Sequence, residues 1–118
     1  PVINDATVAD AAAVGLTGAV EVVENGSDAP GTILGDCSET FRERFADADL
    51  VLAKGQANYE TLSDTDRDVF FLLKAKCPII AKDIGCPVGS MLVRRSGSTR
   101  ALLDESSQAA VFVPTSKR

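Results

Sequence analysis

The sequence predicts an α/β protein: a mostly parallel sheet flanked by helices, in a Rossmann-like three-layer arrangement. Three observations carry this expectation. Short runs such as "LVLA" (50–53) are apolar on both faces, as strands buried within a parallel sheet require. These runs alternate with segments that show helical periodicity or helix start and stop residues. The chain has 118 residues, 45% hydrophobic and 25% charged, which suffices for one core and is ordinary globular composition.

The elements follow in order. "PVIND" (1–5) reads as a strand delivering Asn4 and Asp5 at its end. "TVADAAAVG" (7–15) reads as a helix, opened by Thr7 and Asp10 three residues apart and stopped by Gly15. "AVEVVENG" (19–26) reads as a second strand with a turn at Asn25 and Gly26. "SDAPGTI" (27–33) is loop. Asp36 is the expected N-cap of a helix whose apolar stripe is Cys37, Phe41 and Phe45. "LVLA" is the third strand and runs into Lys54 and Gly55; a short helix includes Tyr59 to Leu62. "VFFLLKA" (69–75) is the fourth strand. "CPIIAKDIG" (77–85) starts a helix at Pro78 and ends it at Gly85. "VGSMLVRR" (88–95) closes as an edge strand, marked by its two arginines. Residues 1–95 form the α/β part; residues 96–118 read as a weakly specified tail in which "AAVFVP" could add a small strand.

Composition excludes several functions. The net charge of −5 argues against coating nucleic acid or an anionic membrane. With no histidine, His-based triads and zinc sites are excluded within the chain, and a metal here takes oxygen ligands. The three cysteines lack CxxC spacing and read as small core hydrophobes. Without an 18-residue apolar run or a signal-like start, a cytoplasmic location is expected.

Ligands of open parallel sheets bind beyond the carboxyl ends of the strands. That rule gathers Asn4 and Asp5, Asn25 and Gly26, Lys54 and Gly55, and Lys74 and Lys76 at strand ends. A carboxylate and an amine on one rim suit a metal ion and a phosphate. Each has a plainer role too. Asp5 could cap the following helix, Lys54 could be a solvated strand end, and Asn58 could cap the short helix after it. "GSDAPG" matches neither GxxxxGK[ST] nor GxGxxG. Composition and spacing alone stop at a soluble α/β domain whose strand-end groups would suit an anion.

Four ordered blocks go further: "INDATVADAAAVGL", "NGSDAPGT", "AKGQANYETL" and "FFLLKAKCPIIAKDIGCPVGSML". Together they resemble the carboxyl-terminal part of the damage-control metal-dependent phosphatases (domain of unknown function 89), microbial branch, across about residues 1–95. The resemblance implies a fold truncated relative to the family. It also implies hydrolysis of small phosphorylated metabolites, sugar phosphates or related, with a divalent metal (Mn, Ni, Co or Mg). It makes Asp5 a metal ligand and catalytic residue, and Lys54 the catalytic residue that contacts the substrate phosphate. Asn58 belongs with Tyr59 to the same signature; Asn4 and Gly26 are weaker candidates for lining the substrate pocket. The family pattern also needs an Asp-Asn pair in a "DNAGE"-like block, on the strand before "PVIND". No such block occurs here. The expectation is therefore a fragment, inactive alone, that self-associates or contacts the missing amino-terminal half. Its partner is a small phosphorylated metabolite, with neither nucleic acid nor membrane. The alternative is a noncatalytic α/β module for anion binding or interaction.

Overall fold

A computed structural model describes residues 6–97, which divide between Ala48 and Asp49 into two compact units. The strand expected at "VINDA" begins outside the described residues, as does most of the tail.

The amino-terminal unit opens with α1 (Val8–Ala13). Thr7 is its N-cap: the hydroxyl accepts from the Asp10 amide at 3.4 Å, and the Asp10 carboxylate accepts from the Thr7 amide at 2.8 Å. This reciprocal pairing satisfies two amides that a helix start leaves open. Gly15, at φ 79°, ends the helix, and a single 3₁₀ turn (Leu16–Gly18) follows. The second expected strand, "VEVVE", is corrected by the structure: it joins no sheet among the described residues. Strand preference is expressed only where a neighbour offers a ladder, and β-branched residues alone do not supply one. The turn after it forms as expected. The Asn25 side chain accepts from the Ser27 amide at 3.0 Å, and Gly26 adopts φ 82°.

Helix α2 (Glu39–Asp47) begins two residues later than Asp36 would place it. Ser38 is the N-cap, its hydroxyl accepting from the Phe41 amide at 3.3 Å. Both residue types cap helices, and the one whose oxygen reaches the third amide decides. Phe41 and Phe45 stack at 6.4 Å, whereas Cys37 precedes the helix, buried, with its thiol donating to the Ile33 carbonyl at 3.3 Å.

The carboxyl-terminal unit contains the sheet. Its strands are β1 (Val51–Lys54), β2 (Val69–Lys74) and β3 (Met91–Arg95), ordered β1-β2-β3. β1 and β2 are parallel, with Val51 opposite Val69 and Lys54 opposite Leu72. β2 and β3 are antiparallel, with Lys74 opposite Met91 and Phe70 opposite Arg95. Helix α3 (Gln56–Leu62) makes the crossover that a parallel pair requires. Helix α4 (Pro78–Ile84) has Pro78 in its first turn and Gly85 in the left-handed conformation at its end. Among the described residues β3 stands at an edge of the sheet, as its two arginines predict.

One face of this sheet is covered. Ala53, Val69, Phe71 and Leu73 are buried on it, under Tyr59 and Leu62 of α3. Phe71 and Val69 are wholly inaccessible, and burying such a side chain contributes about 1.5–3 kcal/mol. The Tyr59 ring meets Phe71 edge-on at 5.2 Å, its hydroxyl donates to Asp83 of α4 at 2.6 Å, and the Arg94 guanidinium lies 5.9 Å over the ring. Alternation along the strands sends Leu52, Lys54, Leu72, Lys74, Met91 and Val93 to the other face, where all six are exposed within the unit.

Candidate functional site

Lys54 ends β1, and Gly55 turns the chain at φ 99°, a conformation open to glycine, so that α3 can start at once. The Gly55 amide still donates to the Leu72 carbonyl at 2.9 Å, so the sheet holds the backbone up to the turn. Asn58, inside the first turn of α3, donates its side-chain amide to the Lys54 carbonyl at 2.9 Å. Strand, turn and helix thus fix the backbone from which the lysine amine projects.

Gln56 adds a second brace. Its carbonyl oxygen accepts from the Lys76 backbone amide at 2.7 Å, and its amide nitrogen donates to Glu60 at 2.7 Å. The segment leaving β2 is thereby fastened to the segment leaving β1. A cavity of about 550 Å³ opens on the uncovered face at this rim. Lys54, Lys74 and Lys76 line it with Gln56; Leu72, Met91 and Val93 form its apolar floor; among the described residues no carboxylate lines it. Such a surface attracts an anion and offers a nonpolar body somewhere to rest.

Of the residues the sequence singled out, the structure brings Lys54 and Asn58 together at this rim. Tyr59 of the same block is 3% exposed and serves the core. Gly26 belongs to the amino-terminal unit, where a Cβ in its place would stand 2.9 Å from the Ser38 Cβ. Asn4 and Asp5 lie outside the described residues, so the expected sharing of a rim by Asp5 and Lys54 lies there too. Among the described residues, no three cysteine, aspartate or glutamate side chains gather as metal ligands. The metal donor set is therefore not assembled from the described residues alone. Sequence reasoning placed Lys74 and Lys76 at a strand end without a role, and did not single out Gln56. Alternation by two puts Lys74 on the Lys54 face and was the available signal; the Gln56 brace is a long-range contact without one.

The comparison with known proteins decides the family. The sequence pattern of the damage-control phosphatase ARMT1-like domain matches residues 1–92. The chain belongs to this family. A damage-control phosphatase of Pyrococcus horikoshii is 44% identical over 97 residues, covering 81% of this chain and 34% of that protein. An uncharacterized protein of Methanocaldococcus jannaschii is 42% identical over 100 residues, covering 80% of this chain and 33% of that one. The crystal structure of a DUF89 family protein from Pyrococcus horikoshii superposes with a TM-score of 0.77 at 43% identity, over 81% of this chain and 34% of that chain. The damage-control phosphatase fold expected from the four sequence blocks is thus shown, and the chain spans about a third of the length of these relatives. Among the described residues, no helix is long and apolar enough to cross a membrane.

Proposed function

We propose that this chain is part of a divalent-metal-dependent phosphatase acting on small phosphorylated metabolites, sugar phosphates or related compounds. One observation carries the reading: in a chain of the damage-control phosphatase family, Lys54 lines a lysine-rich cavity at the end of a parallel strand. In this role the amine neutralises charge on the nonbridging oxygens of the phosphate as that charge grows in the transition state. The Asn58 tie to the Lys54 carbonyl sets the backbone position of the amine. The apolar floor offers the rest of the substrate a nonpolar surface to rest on. Asp5 is proposed as one ligand of the metal (Mn, Ni, Co or Mg), which when bound supplies Lewis-acid polarisation of the phosphate. A cytoplasmic site of action agrees with three cysteines that are all free thiols.

The test is hydrolysis of p-nitrophenyl phosphate and of sugar phosphates with added divalent metal, in the complete polypeptide that carries this sequence. Lys54→Ala is expected to lower turnover by about 100-fold or more while metal binding persists. Asp5→Asn is expected to abolish the stimulation by metal. Unchanged turnover in Lys54→Ala overturns the role given to the amine.

A further inference from the structure

The cavity beside Lys54 holds more positive charge than one phosphate needs. The chain has five lysines and a net charge of −5, yet three of the five line this single cavity. The cations of β3 are already engaged: Arg95 pairs with Asp68, and Arg94 donates to the Ile84 carbonyl at 3.1 Å. Lys54, Lys74 and Lys76 form no ion pair among the described residues.

Their placement is fixed by the backbone. Lys54 stands opposite Leu72, and Lys74 follows Leu72 by two residues on the same face. Strand rise and spacing then separate the Lys54 and Lys74 Cα atoms by about 8 Å. Lys76 belongs to the segment that Gln56 fastens to the start of α3. Three like charges converging on one cavity repel each other, at a cost that a counter-charge removes. A single phosphate leaves part of that repulsion in place. A ligand with two anionic groups, separated by a few ångströms and joined by a nonpolar body over Leu72 and Met91, fits the arrangement.

We propose that the substrate of this site carries a second anionic group besides the phosphate to be removed, as in a bisphosphate or a phosphorylated carboxylic acid. Lys54 grips the reacting phosphate; Lys74 and Lys76 hold the second group and select for it. The inference deepens the phosphatase reading and rests on it.

The experiment is a titration of the complete polypeptide that carries this sequence, followed through the Gly55 and Lys76 amide resonances at low salt in the presence of a metal chelator. The probes are inorganic phosphate and methylenediphosphonate, a two-anion ligand that cannot be hydrolysed. Methylenediphosphonate is expected to bind about tenfold more tightly than phosphate, since charge-assisted contacts are the strong ones. Lys74→Gln and Lys76→Gln should each remove most of that preference for the two-anion probe over phosphate. Lys82→Gln makes the same charge change outside the cavity and should leave the preference intact. Equal binding of the two probes overturns the second anionic group while the phosphate role of Lys54 stands. An equal loss in Lys82→Gln also overturns it, by showing that net charge alone is responsible. If neither probe shifts either resonance, the phosphate reading falls and this inference falls with it.

Discussion

Tyr59 shows how one residue serves the site without entering it. Its ring packs on Phe71 and its hydroxyl bonds Asp83, so it sets the helix that follows Lys54 against the sheet. Tyr59→Phe keeps the ring and is expected to cost about 1 kcal/mol in urea unfolding. Phe71→Ala, which empties a wholly buried position, is expected to cost about 3–5 kcal/mol. Equal losses in the two variants would mean that the hydroxyl, not the packing, dominates. Burial pushes the Cys37 thiol up from its ordinary value, with the Asp36 carboxylate adding to the effect. Iodoacetamide at neutral pH should therefore modify Cys37 more slowly than the half-buried Cys77 and Cys86; first labelling of Cys37 in a mass-spectrometric time course would refute this. Asp68 is held below its ordinary value of 3.8 by its hydrogen bonds with Arg95. A lowered folded value means that the stabilisation is complete above the unfolded value and fades as pH falls through the folded one. Thermal unfolding below pH 4 should accordingly be less pH-dependent in Arg95→Gln than in the native chain; an unaltered pH profile would show that the pair is too exposed to matter.

Among the elements, two glycines with nearly the same φ separate backbone strain from crowding. Gly85 ends α4 in the left-handed region with open space where a Cβ would point. Gly85→Ala should therefore cost only the conformational term, about 1–2 kcal/mol. Gly26 carries the same strain and also the approach to Ser38, whose Cβ and backbone would both have to yield. Gly26→Ala is expected to cost more, and denaturant midpoints that rank the two the other way would reject the steric argument. The elements legible in the sequence were those carrying their own signals: the apolar runs of β1 and β2, the proline and glycine that bracket α4, the Thr7 and Asp10 pair that opens α1. "VEVVE" had the residue preference of a strand, but a ladder depends on a partner far away in the chain, and no local pattern reports one. The same limit applies at the site. The place of Lys54 at a strand end was legible because a charged residue closes an apolar run, whereas the Gln56 brace to Lys76 joins residues twenty positions apart.

Across the whole molecule, burial is unevenly spread, and stability should follow it. Among the described residues nine hydrophobic side chains are buried, and of these only Cys37 precedes Asp49; the other eight belong to the unit that holds the sheet. α1 and α2 bury no residue of their own, so their amides are protected by local hydrogen bonds and caps alone. β2 has a hydrogen-bonded neighbour on each side and carries three buried side chains, Val69, Phe71 and Leu73. Amides open with free energies that rise from near zero in weakly packed segments to the global value in the core. Native-state hydrogen exchange should therefore find its slowest amides in β2, with β1 and α3 next and α1 exchanging fastest. Protection of α1 equal to that of β2 would show that the amino-terminal helix draws stability from more than its capping box. The order matters for the chemistry: Lys54 and Lys74 end the two strands of the parallel pair, and Gln56 fastens the segment carrying Lys76 to α3. The three amines are thus mounted on or tied to the part of the molecule expected to open last, which lets like charges be held together before any anion arrives.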